Sequence, residues 1–419
     1  MREWPRVAFF ADSFHSVNGV GMTSRNLVKA AGRREFPLLS VRTGDQTRRW
    51  QDGPIDILEL KQGPVGFAMD RDLRFDLLFM RHFRRALKAV REFKADIIHI
   101  TSPGDVGILG GCIAGVLRMP LVASWHTNLH TFASRRLWNV TSFLPSEARQ
   151  GLAEAVEKSS LWACMCFYAN AGAVLAPNEE DVRMLRSETG LPAFPMSRGI
   201  DTNLFSRSKR TLHDGTFRLG FVGRLTPEKN VRFLAQVEAA LKRDGLDNYR
   251  FLIVGDGSER AWLESNLLRA DFTGELFGED LARAYANMDL FLFPSETDTF
   301  GNVVLEALSS GTPAIVTSEG GPKFLVRDGI TGFVAQSDQD FIVKVKLLLT
   351  DHQRYLSLCQ TTQSGAATKS WESVLDEIYD AYESCILSDM RRNVIKASSR
   401  YRRDRSTQTP ESSPSLADN

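Results

Sequence analysis

The chain has 419 residues, 43% of them hydrophobic and 25% charged, with a formal net charge of +1. That length is too great for one ordinary hydrophobic core and points to two or three domains, and near-neutral charge argues against a dedicated nucleic-acid binder. Cys112, Cys164, Cys166, Cys359 and Cys385 are scattered without zinc-site spacing and read as thiols of a reducing compartment.

The first strand, residues 7–11, ends at Asp12; this apolar run is too short for a secretory signal and lacks a small-residue cleavage site. Further strands are expected at 38–41, 55–60, 96–101, 121–125 and 173–176, most of them near-continuous apolar runs of the kind covered on both faces. Helical spacing covers 18–31 and 76–93, and 131–158 reads as a longer helical or irregular insertion. The run 161–176 is shorter than a membrane span and is broken by Asn170 and Gly172, so a buried helix end followed by a core strand is expected. In the second half, strands at 219–223, 251–255, 272–276, 290–293, 313–318 and 332–335 alternate with helices at 230–242, 259–268, 280–288 and 300–310. The polar stretch 201–216 is the expected seam between two doubly wound α/β domains facing each other across a cleft. Helical spacing returns at 372–387, and beyond Met390 a basic tail rich in Ser, Thr and Pro is expected to be disordered.

The most informative stretch is FPSETDTFGNVVLEALSSGTPAIVTSEGGP, residues 293–322. Read as strand, helix and strand with short connections, it brings its two loops to one carboxyl edge of a parallel sheet, where such sheets bind ligands. Free amides at the Thr299-Phe300-Gly301 helix start suit a phosphate. Asp298 precedes them and Glu306 follows about two turns, roughly 10 Å, along the helix axis. An anion cradle with a carboxylate on each side fits a nucleotide sugar.

Three other motifs lie at carboxyl strand ends. In DSFHSVNGVGMTSRNL, Gly19 and Gly21 allow close backbone approach to a ligand, although Thr23-Ser24 break any GxGxxG fingerprint and an ordinary glycine turn is the alternative. In SWHTNLH, His126 is placed to hydrogen-bond a sugar hydroxyl or to manage a proton near neutral pH. His130 lacks the glutamate of an HExxH site, so no metal pair is indicated. In FVGRLTPEKN, Arg224 and Lys229 make a diphosphate clamp, with a surface arginine and a Lys229–Glu228 pairing as the alternative.

Taken in order, FADSFHSVNGVGMTSR, SWHTN, RGIDTNLF, FVGRLTPEKN, VGDGSER and FPSETDTFGNVVLEALSSGTP resemble the retaining nucleotide-sugar glycosyltransferases of family 4 over about residues 6–387. The wording is most similar to the sulfoquinovosyl-diacylglycerol synthase and GDP-mannose-dependent mannosyltransferase branch. The resemblance implies the GT-B fold: an acceptor-side Rossmann-like domain at 1–205, a donor domain at 206–370, a helix at 371–390 crossing back, and the tail at 391–419. It also implies that Arg224 and Lys229 bind the diphosphate and assist its departure, and that Glu306 holds the ribose. Amides of Thr299, Phe300, Gly301 and Asn302 would meet sugar and diphosphate, Leu276 would offer backbone to the base, and His126 would lie by the transferred sugar or the acceptor. Gly19 and Gly21 would close over the phosphates. Two positions depart from the pattern: Asp298 and Phe324 stand where the family has, always or often, a glutamate.

The expected activity is hexosyl transfer with retention, by front-face displacement, from a UDP- or GDP-linked sugar to a lipid, glycolipid or saccharide hydroxyl, with no metal or other cofactor. A non-catalytic nucleotide-sugar binder, or an epimerase on the same fold, is the alternative. The basic helix at 77–94, with Arg84, Arg85 and Arg91, and the aromatic region Arg135, Arg136, Leu137, Trp138, Phe143 and Leu144 would suit an anionic bilayer. The expected location is cytoplasmic, peripheral on the inner face of the plasma membrane; a helix packed on the sheet with its arginines in water is the alternative.

Overall fold

The computed structural model describes residues 4–16, 19–63, 65–70, 73–126, 145–365 and 370–407. His130, the aromatic region 135–144 and the tail from 408 lie outside the described residues.

Two parallel sheets organise the chain. The strands of the first are β1 (Val7–Ala11), β2 (Leu38–Gly44), β3 (Arg48–Asp52), β4 (Ile55–Lys61), β7 (Ile97–Ile100), β8 (Leu121–Ser124), β9 (Ala173–Ala176) and β10 (Ala193–Pro195). Their order across the sheet is β10-β9-β8-β7-β1-β2-β4-β3. All neighbours run parallel except β3, which is antiparallel to β4 at the edge. A separate hairpin joins β5 (Gly66–Asp70) to β6 (Leu73–Asp76). The second sheet comprises β11 (Phe217–Val222), β12 (Tyr249–Val254), β13 (Ala270–Gly274), β14 (Leu290–Phe293), β15 (Ala314–Thr317) and β16 (Gly332–Ala335). Its order is β13-β12-β11-β14-β15-β16, parallel throughout.

The apolar runs form these strands because both faces are covered. In β1, Ala8 and Phe10 join one core while Val7, Phe9 and Ala11 join another, as the two-residue strand period requires. The second of those cores is closed by the helix that starts at Trp371. Its Trp371, Leu375, Ile378, Tyr379, Tyr382 and Cys385 face the first sheet at helical spacing. That helix thus crosses back onto the first lobe.

Several expectations need correction. The helix expected over 76–93 is a strand end, a 3-10 turn at Phe79–His82 and a helix at Phe83–Phe93. Asp76 is the reason: its carboxylate accepts hydrogen bonds from the Leu78 and Gly63 amides and from Arg81, fixing a turn where a helix would begin. Helices at Asp105–Leu117, Glu179–Thr189, Asp338–Thr350 and His352–Gly365 add to those expected from the sequence. The final helix runs on to Thr407, through much of the stretch expected to be disordered, because neither Gly nor Pro interrupts it before Pro410.

Candidate active site

Each sheet changes direction of strand order at its first strand, and the crevice beyond the carboxyl ends at such a point is where ligands bind. In the second sheet that point lies between β11 and β14, so the loop after β11 and the loop after β14 meet. The first carries Arg224 and Lys229, the second Ser295 and Asp298. Lys229 Nζ lies 2.6 and 2.8 Å from the Asp298 carboxylate oxygens, and Ser295 Oγ donates to Oδ2 at 2.6 Å. Burial alone would raise the Asp298 carboxyl, but Lys229, Ser295 and the charge of Arg224 together hold it below the usual carboxylate range. Arg224 lies 3.8 Å from Glu228 and is partly exposed at the crevice.

The loop after β15 seals the back of this cradle. A Cβ on Gly321 would stand 1.8 Å from the Thr299 carbonyl oxygen, so only glycine lets the two loops lie backbone to backbone. Gly301 has φ +89° and caps a helix that starts at Asn302. Thr299, Phe300 and Gly301 therefore precede the helix, a correction to the expected start. The first-turn amides left for an anion are those of Asn302 and Val303. Glu306, on the buried side of the same helix, accepts a hydrogen bond from the Tyr285 hydroxyl at 2.8 Å. Burial without a neighbouring cation pushes its carboxyl up to about 7. Leu276 lies in the loop beyond β13, half-buried against the core of the second lobe.

The first lobe supplies the opposite wall. His126 follows β8 at its carboxyl end and is buried. Arg198 Nη2 donates to His126 Nδ1 at 2.9 Å, which leaves the ring proton on Nε2. That Nε2 has no partner among the described residues. Burial and the Arg198 charge hold the imidazole well below its ordinary pKa, so His126 is a neutral hydrogen-bond donor. Management of a proton near neutral pH, one of its two expected roles, is not what this setting favours. Gly19 faces Asn302 across the lobes, a Cβ there lying 3.6 Å from Asn302 Nδ2. Gly21 serves its own loop instead: a Cβ would stand 2.5 Å from the carbonyl oxygens of Ser13 and Ser16.

The lobes touch through the site itself. Thr299 Oγ1 donates to the His126 carbonyl at 2.8 Å, and Asn178 Nδ2 to the Thr299 carbonyl at 3.0 Å. The Arg198 guanidinium lies 5.4 Å from the centre of the Phe300 ring. Lys323 pairs with Glu180 at 2.9 Å, and Phe324 is exposed beside it. A cavity of about 630 Å³ lined by Arg207, Arg210, Asp289 and Tyr355 lies elsewhere, before the amino end of β14.

Residues 17–204 match the family described as "Glycosyltransferase Family 4", and residues 216–351 match "Glycosyl transferases group 1". The chain is 34% identical to a GDP-mannose-dependent alpha-mannosyltransferase of Mycobacterium tuberculosis, the match covering 72% of this chain and 76% of that one. The chain belongs to glycosyltransferase family 4. It is 28% identical to the sulfoquinovosyl transferase SQD2 of Arabidopsis thaliana, over 74% of this chain and 61% of that one. Among solved structures, the sucrose-phosphate synthase of Thermosynechococcus elongatus superposes with a TM-score of 0.68 at 20% identity, covering 92% of this chain and all of that one. The fold is GT-B, and the protein is a glycosyltransferase, so the non-catalytic and epimerase alternatives fall away.

Within this glycosyltransferase, Arg198, Asn178, Ser295 and Tyr285 join the site without having been singled out by the sequence. Arg198 stands inside the RGIDTNLF motif and Ser295 inside FPSETDTF, so both were within reach. Asn178 and Tyr285 announce themselves only through partners that the fold brings to them.

Proposed function

We propose that the protein transfers mannose with retention from GDP-mannose to a hydroxyl of a lipid-linked acceptor. Its mycobacterial and corynebacterial relatives are named as GDP-mannose-dependent, and the Arabidopsis relative as a sulfoquinovosyl transferase. The observation that carries the reading is the facing pair of half-sites: Lys229, Asp298 and Arg224 at one switch point, and the Nε2–H of His126 on the wall opposite. Arg224 and Lys229 take the diphosphate, Lys229 exchanging part of its contact with Asp298 for phosphate oxygen. Asp298 then turns to the sugar hydroxyls, and His126 donates to the sugar from the other lobe. The bond from C1 to the leaving phosphate oxygen breaks as C1 bonds the acceptor oxygen on the same face. The acceptor proton passes to the departing diphosphate, and the two cations with the helix amides supply the positive field without a metal.

For the acceptor we infer peripheral docking on an anionic bilayer. The apolar stripe of the Phe83–Phe93 helix (Ala86, Ala89, Val90, Phe93) is buried inside the lobe, so it cannot enter lipid. Arg84, Arg85, Lys88 and Arg91 point outward, beside exposed Leu77, Leu78 and Met80, and the neighbouring Asp105–Leu117 helix exposes Ile108 and Val116. Basic residues flanking exposed apolar ones suit a headgroup layer.

The test supplies GDP-mannose with acceptor lipid in anionic vesicles and reads the anomeric configuration of the product by NMR. An α-linked mannolipid formed equally well in chelator supports the reading. Inversion at C1, or a strict need for a divalent cation, overturns the mechanism. Vesicle binding that survives neutralisation of Arg84, Arg85 and Arg91 overturns the docking.

A further inference from the structure

Glu306 is a buried carboxylate whose surroundings do not repay its charge. It is 5% exposed, and the Tyr285 hydroxyl on Oε2 is its side chain's one hydrogen-bond partner among the described residues. Charged and titratable groups on the elements around it are engaged elsewhere. Lys229 is paired with Asp298 at the loop edge. Tyr355, on the His352–Gly365 helix, donates to Asp289, and Cys359 lies beside Tyr355. Burial, which raises its carboxyl, and the Tyr285 hydrogen bond, which lowers it, are what govern its proton. A carboxylate kept in such a place is compensated only if a ligand brings donors to it.

Tyr285 is held from several sides. It is fully buried on the Gly278–Asn287 helix, its ring against Phe205 and Phe291 at 5.8 and 5.7 Å between centres. Its own carbonyl accepts from Thr312 Oγ1 at 2.9 Å. A hydroxyl so fixed sets the orientation of the carboxylate it touches and leaves Oε1 to be met from outside. We propose that Tyr285 is the positioning residue for donor recognition: it pins Glu306 so that the free carboxylate edge meets the ribose diol, and thereby selects ribonucleotide over deoxyribonucleotide donors. This rests on Glu306 being the ribose ligand.

The inference makes donor affinity depend on pH with a definite sign. The free carboxyl titrates at about 7, and the diol donates to its ionised form, so binding releases a proton. Affinity therefore rises by up to about tenfold between pH 6 and pH 8 and is flat above. Loss of the tyrosine hydroxyl removes a contact that favours ionisation, so the rise moves to higher pH.

Tyr285→Phe keeps the ring and its packing, and its thermal midpoint serves as the fold control. Calorimetry with GDP, UDP and their 2′-deoxy counterparts, on wild type, Tyr285→Phe and Glu306→Gln, decides the matter. The expected result is strong wild-type preference for the ribonucleotide, reduced about three- to tenfold in Tyr285→Phe. In the transfer assay, donor KM rises while kcat at saturation is unchanged. If the wild type discriminates but Tyr285→Phe matches it in preference and pH midpoint, the positioning role is wrong while the ribose reading stands. If the wild type and Glu306→Gln bind ribo- and deoxyribonucleotides alike, the ribose reading fails and this inference with it. Failure of both ribonucleotides to bind overturns both.

Discussion

Asp298 is the residue where this chain departs most visibly from its family's expected glutamate, and its surroundings show how the shorter side chain is used. Lys229 and Ser295 reach in to meet it at 2.6 to 2.8 Å, so the carboxylate stays ionised at neutral pH and well below. Asp298→Asn keeps the shape but leaves Lys229 without its counter-charge. We expect kcat/KM to fall at least about 100-fold, the range lost when a charge-stabilising group is removed from such a site. Asp298→Glu, which keeps the charge and adds one methylene, is expected to stay within about tenfold of wild type. Steady-state kinetics on both variants, with thermal midpoints as the fold control, checks this; a greater loss in Asp298→Glu than in Asp298→Asn would mean that side-chain length and not charge is what the site needs. The sequence revealed Asp298, Lys229 and His126 because each lies in a polar stretch after a strand end, and Glu306 because it is a lone carboxylate in a largely apolar helix following such a stretch. It concealed Tyr285 and Asn178, since a side chain that acts by touching another looks like ordinary core or loop until the contact is seen.

The helix at Asp105–Leu117 shows why whole elements can be illegible. Its sequence, DVGILGGCIAGVL, has no amphipathic stripe and four glycines, the composition of a loop as much as of a helix. Two of those glycines are required by packing. A Cβ at Gly107 would stand 1.8 Å from the Ser102 carbonyl oxygen, and one at Gly110 would stand 2.8 Å from the Phe10 ring. Asp12 completes the element from β1's loop by accepting the Val106 and Gly107 amides, which lets the helix begin close above the strand. At Gly111 and Gly115 an added methyl group would meet nothing within 4 Å. Alanine there should stabilise the protein by about 0.5–1 kcal/mol each, by reducing the freedom of the unfolded chain. Gly107→Ala and Gly110→Ala should destabilise it by about 1–3 kcal/mol, as overpacking does. Urea denaturation of the four single variants reads both signs. The strands, by contrast, were legible because parallel sheets buried on both faces demand continuous apolar runs, while the polar edge strand β3 carried no such mark.

At the scale of the molecule, the two lobes are not equal partners in their own stability. The second lobe contributes its own core, whereas one face of the first lobe's sheet is covered by a helix from the far end of the chain. That helix also places the Tyr382 hydroxyl 2.6 Å from Nδ1 of His99, whose Nε2 lies 2.6 Å from Ser124 Oγ. Ser124 is the last residue of β8, two before His126, so the crossing helix braces the strand that delivers the histidine to the cleft. Trp371, Leu375, Ile378, Tyr379, Tyr382 and Cys385 together bury enough apolar surface to rival the whole stability of an ordinary domain, at about 1.5–3 kcal/mol for each large side chain against about 5–15 kcal/mol in total. A chain ending at residue 370 should therefore lose the cooperative unfolding of its first lobe and expose apolar surface to a hydrophobic dye. One ending at Met390 keeps Trp371, Leu375, Ile378, Tyr379, Tyr382 and Cys385 and should unfold at the wild-type temperature with its donor affinity intact. Calorimetry of the two truncations separates these outcomes: a wild-type transition in the shorter chain would mean that the first lobe holds itself together, and the bracing of His126 by the helix would go with it.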